Sequence, residues 1–89
     1  MATADDVYLW AAEWLGAKGR EGWRFTPFVK FDDKICGFLV RKTGDQWWRS
    51  DQIVLPLDVT KDSASTAFIA AEQSIYRWVE AEGGRNESI

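Results

Sequence analysis

Residues 35–50 read ICGFLVRKTGDQWWRS: an apolar run, a short polar turn, and a return segment that opens on two adjacent tryptophans. An apolar run bounded by turn residues predicts a strand, here over about residues 35–42. In Thr43-Gly44-Asp45-Gln46, Gly44 supplies the positive φ that tight hairpin connections use. Ile35 and Leu39 oppose Cys36, Phe38 and Val40, so both faces of this strand are apolar, as in a strand flanked on each side. Side chains alternate along a strand, so Trp47 and Trp48 point to opposite faces of the next one. One of them belongs to the core and the other needs a different partner.

Upstream, GWRFTPFVKF predicts a strand over about residues 22–31, with Trp23, Phe25, Val29 and Phe31 on one side and Arg24, Thr26, Phe28 and Lys30 on the other. Pro27 cannot donate a ladder bond, which places this strand at an edge or bulges it near its middle. Asp32-Asp33-Lys34 forms the turn into the central strand. Downstream, Ile53, Leu55 and Leu57 alternate with Val54, Pro56 and Asp58, extending the third strand over about residues 46–57 with a break near 50–52. The segment is one long bulged strand or two short ones, and Pro56 marks it as an edge.

Helices flank the strands. Thr3 precedes Ala4, Asp5 and Asp6, and Val7, Trp10, Ala11, Trp14 and Leu15 follow at helical spacing, predicting a helix over about residues 4–17 that Gly16 and Gly19 terminate. Tyr8 and Leu9 extend its apolar character beyond one face. A second helix over about residues 63–82, capped by Asp62 or Ser63, carries the stripe Ala64, Ala67, Phe68, Ala71, Ile75, Trp78 and Val79. Gly83-Gly84 is expected to end it, leaving a tail over residues 83–89. The expectation is one α+β domain over residues 1–89, a three-stranded or four-stranded antiparallel meander in the order α-β-β-β-α. With both helices on one face, the other face carries Arg24, Thr26, Phe28, Lys30 and one of the two tryptophans.

Composition narrows the chemistry. The chain has no histidine and a single cysteine, so the usual zinc ligand sets, a Ser-His-Asp triad and a Cys-His pair cannot be assembled. Asp5-Asp6 and Asp32-Asp33 have structural roles at a helix start and in a turn, and nothing around Ser63, Ser65 and Lys61 supplies a nucleophile elbow. No cofactor, no metal and no enzymatic activity are expected. The first residues lack a basic region followed by an apolar run, and no segment reaches the ~20 apolar residues of a membrane span. A cytoplasmic protein without membrane association is the expectation.

The net charge of -3 hides an asymmetry. Residues 18–49 hold eight basic residues against four acids, residues 1–17 hold three acids and no base, and residues 50–89 hold seven acids against three bases. Arg24, Phe28, Lys30, Arg41, Lys42, Trp47, Trp48 and Arg49 are therefore the candidate partner-binding residues of the sheet face and hairpin, since tryptophan and arginine concentrate at interaction hot spots. A second candidate surface is the acidic flank, Asp58, Asp62, Glu72 and Glu80, able to compete for a surface that binds nucleic acid. The leading expectation is a non-catalytic protein-binding module. In size and composition alone it is similar to the small acidic inhibitors that viruses and mobile elements direct at host complexes, the anti-CRISPR proteins among them. Single-stranded nucleic-acid binding by the basic, aromatic hairpin is an alternative that the net charge opposes. A homodimer through the first helix is another. The element order is shared with the double-stranded RNA-binding domain, but Lys61-Asp62-Ser63-Ala64-Ser65 holds one lysine where that family has a basic cluster.

Overall fold

The computed structural model describes residues 1–18 and 21–87. Helix α1 spans Ala4–Lys18. At its start Thr3 Oγ1 accepts from the Asp6 amide (3.1 Å) while the Asp6 carboxylate accepts from the Thr3 amide (3.0 Å), a reciprocal cap that satisfies two otherwise unpaired donors. The expected stripe is the buried one: Val7, Ala11 and Trp14 lie in the core, with Trp10 and Leu15 packed against it. Gly16 lies inside the helix, and the expected stop at Gly19 falls outside the described residues. Helix α2 spans Lys61–Glu87. Its cap is Thr60 rather than Asp62 or Ser63: Thr60 Oγ1 accepts from the Ser63 amide and Ser63 Oγ from the Thr60 amide. It also runs through Gly83-Gly84, because a glycine pair weakens a helix by roughly 1 kcal/mol per residue without compelling it to end. Residues 83–87 are thus helix rather than tail, and residues 88–89 lie outside the described residues.

The fold is α+β, in the expected order, but each expected strand is divided in two. The six strands are β1 Trp23–Phe25, β2 Val29–Phe31, β3 Lys34–Gly37, β4 Leu39–Thr43, β5 Gln46–Arg49 and β6 Ile53–Pro56. They form two antiparallel sheets ordered β1-β4-β5 and β2-β3-β6. The hairpin between β4 and β5 turns at Gly44 with φ 61°, as its sequence requires.

The register explains the division. Phe25 pairs with Leu39 and Val29 with Cys36, so four steps on the first strand match three on the central one. Arg49 pairs with Val40 and Ile53 with Gly37, again four steps against three. Each outer strand therefore carries one extra residue at the level of Phe38, a bulge on either side of the central segment, where β3 passes into β4. Two hydroxyls mend the interrupted ladders. The Phe38 amide donates to Thr26 Oγ1 (2.9 Å), and the Leu39 amide donates to Ser50 Oγ (2.9 Å).

A one-residue insertion inverts the alternation beyond it. This corrects the expected facing of the first strand: Phe25 is buried before the bulge, Phe28 is buried after it, and Val29 and Phe31 point away from the core. Phe28 packs against Gly37, where a Cβ would stand 2.6 Å from its ring. The core gathers Trp14, Phe25, Phe28 and Phe68, with ring centroids 4.9–6.3 Å apart, around Ile35, Leu39, Ile53, Leu55, Ala71 and Ile75. Both helices cover the face that Ile35, Leu39, Ile53 and Leu55 present, and the opposite face has no helix over it. No helix among the described residues is long and apolar enough to cross a membrane.

Candidate partner-binding face

The central strand alternates without interruption from Ile35 to Lys42, so its even-numbered residues Cys36, Phe38, Val40 and Lys42 define the uncovered face. Their cross-strand partners complete it. On the upper sheet, Arg24 and Arg49 flank Val40, and Trp47 pairs with Lys42. On the lower sheet, Val29 and Val54 flank Cys36, and Phe31 and Pro56 flank Lys34. The face is thus cationic and aromatic at one end and apolar at the other. Arg24, Lys34, Lys42 and Arg49 lie on it, and no strand residue of this face is a carboxylate.

The tryptophan pair divides as strand geometry requires. Trp47 is 52% exposed on the open face, with the Arg24 guanidinium 5.5 Å and the Lys42 ammonium 5.7 Å from its ring centroid. Arg49 stacks over Phe38 at 4.6 Å. Among the described residues, Arg24, Lys42 and Arg49 make no ion pair; aromatic rings are their neighbours. Trp48 faces the helices and packs against the core at the level of Trp23 and Arg41. There Trp23 meets Tyr76 edge-on at 5.8 Å, and Arg41 lies over both rings at 4.9 and 5.7 Å.

The candidates therefore separate. Arg24, Lys42, Trp47 and Arg49 come together on the open face. Arg41 and Trp48 turn to the helix side, and Lys30, paired with the buried Ile35, stands on that side at the sheet edge. Phe28 is 6% exposed and cannot contact a partner, because the Pro27 bulge turned it inward. Of the acidic flank, Asp58, Asp62 and Glu80 are exposed, whereas Glu72 is buried on α2 between Ala71 and Ser74 and leaves that surface.

Several residues at the site had no signal in the sequence. The Asp51 amide donates to Ser74 Oγ (3.0 Å), Ser74 Oγ donates to the Ala71 carbonyl (2.7 Å), and the Asp51 carboxylate accepts from Trp78 Nε1 (3.2 Å) and meets Arg77 (3.4 Å). These contacts tie the second bulge to α2. Trp78, expected in the buried stripe, is instead 44% exposed beside it. An open groove of about 620 Å³ runs along the β5 edge, between Trp47 and Arg49 on one side and Trp48 and Trp78 on the other. No group of three or more His, Cys, Asp or Glu side chains suited to a metal ion occurs among the described residues. Comparison of the chain with protein-family models, with curated proteins and with solved structures gives no match.

Proposed function

We propose that the protein is a non-catalytic protein-binding module whose open sheet face occupies a surface of its partner, as an occupancy inhibitor of a larger complex does. The observation that carries this reading is the face itself: Trp47 among cations that make no ion pair with the described residues, continuous with Val29, Phe31, Cys36 and Val54. An aromatic and arginine anchor beside an apolar area has the composition of an interface hot spot. The apolar half, 70% exposed at Phe31 and 58% at Val29, favours a protein partner, since nucleic acid offers little aliphatic surface to bury against it. Four cations without a carboxylate point to an acidic partner surface and oppose a face-to-face dimer, which would set the cations of two copies against each other.

A second reading rests on Trp47 alone. A ring flanked by Arg24 and Lys42 is also a stacking platform for single-stranded nucleic acid. One experiment separates the readings: affinity capture from the native host with the wild-type chain, Trp47→Ala and Arg24→Glu as parallel baits, together with tryptophan quenching by single-stranded oligonucleotides at low salt. A protein retained by the wild type and lost from both variants, with no quenching, supports protein binding. Tight, salt-sensitive quenching supports nucleic acid and defeats the first reading.

A further inference from the structure

The upper end of the open face meets an unpaired sheet edge. In an antiparallel ladder, successive residues direct their backbone groups alternately to the two sides. The Lys42 amide donates to the Gly22 carbonyl at β1 (2.9 Å), and the Ser50 amide donates to the Leu39 carbonyl of the central strand (2.8 Å). Even-numbered residues of β5 therefore bond inward, and the amides and carbonyls of Trp47 and Arg49 point to the free side, because β5 is the last strand of its sheet. This edge is the floor of the groove. Its two walls differ: Trp47 and Arg49 line the open-face side, with Lys42 the cross-strand partner of Trp47 behind them, while Trp48 and Trp78 line the helix side, and Asp51 and Glu82 also border the groove.

We infer that β5 receives an extended segment of the partner as an added strand, paired through the Trp47 and Arg49 backbone, with acidic side chains toward the open face alternating with apolar ones against Trp48 and Trp78. Main-chain bonds supply affinity in this mode and the alternating side chains supply specificity. The two-residue period of a strand matches the two unlike walls, so an acidic–apolar alternation satisfies both at once. The inference rests on the open face being the partner surface.

The probe is a blocked octapeptide alternating aspartate and valine, titrated onto the full chain. Amide exchange followed by NMR is expected to slow about tenfold or more at Trp47 and Arg49 on saturation. Arg49→Pro is expected to lose at least about tenfold in affinity relative to Arg49→Ala, because both lack the side chain but only proline lacks the amide. If Arg49→Pro does not fold, N-methylation of alternate peptide amides makes the same test and must abolish binding in one of its two registers. No binding of the octapeptide up to about 1 mM, equal affinity for a lysine–valine octapeptide, or dimerisation that protects these amides without peptide overturns the inference. If Arg49→Pro and Arg49→Ala bind alike while Trp47→Ala abolishes binding, strand addition fails and the open-face reading stands. If Trp47→Ala and Arg24→Glu also bind like the wild type, both fail.

Discussion

A methyl group at Gly37 would lie 2.6 Å from the Phe28 ring, so the glycine is set by its neighbour and not by a turn. Gly37→Ala is expected to cost about 1–3 kcal/mol in denaturant unfolding, the range for overpacking a core, and Phe28→Leu in the same chain should recover part of it. Ser50 performs a different task, since its hydroxyl accepts the buried Leu39 amide and donates to the Asp51 carbonyl (2.8 Å). Ser50→Ala strands that amide and is expected to cost about 1–3 kcal/mol, against less for Ser50→Thr, which keeps the hydroxyl. Trp47 and Trp48 differ most in consequence. Trp47→Ala gives up exposed cation–π contacts and should change stability by no more than about 1 kcal/mol. Trp48→Ala removes a ring packed on the core and should cost about 1.5–3 kcal/mol in the same assay.

At the level of elements, the paired bulges determine what each edge of the sheet shows. The hairpin, the helix stripes and the apolar central strand were readable in the sequence because each repeats a signal over several residues: Ile35 to Val40 for the strand, Ala64 to Ile75 for α2. A bulge is a single residue, and nothing repeats to announce it. Pro27 marked the first one, but the reversal of Phe28 and Val29 depends on which neighbour the strand must match, a long-range fact. Thr26, Ser50 and Ser74 resemble ordinary polar residues until a displaced amide is placed beside them. Arg24, Lys42 and Arg49 were readable as surface candidates because Arg24 and Arg49 precede the bulges on their strands and Lys42 lies on the central one, but which of Trp47 and Trp48 faces outward depended on the register with the central strand. The second bulge is also where the sheet is joined to α2. Ser74→Ala should therefore speed amide exchange at Asp51 while leaving the amides of β4 protected, a local opening and not a global one.

The whole molecule is asymmetric in cover and in charge. Two helices shield one face of the meander and carry most of the acids together with the loops at their ends, the others lying in the strand connections at Asp32, Asp33, Asp45 and Asp51, while the uncovered face holds cations and exposed apolar side chains. Such a surface associates faster with an acidic partner at low salt, so partner association should slow as ionic strength rises, and Lys42→Glu should remove most of that dependence. The alternative of a homodimer through α1 would instead use Tyr8 and Leu9, which α1 leaves exposed. Fluorine NMR of the 5-fluorotryptophan-labelled chain, free and bound to the captured partner, reads both surfaces in one spectrum, because six tryptophans sample the fold. With the partner on the open face, the Trp47 line is expected to move on binding while the Trp10 and Trp14 lines stay in place. A Trp10 line that moves with Trp47 unchanged would contradict that placement.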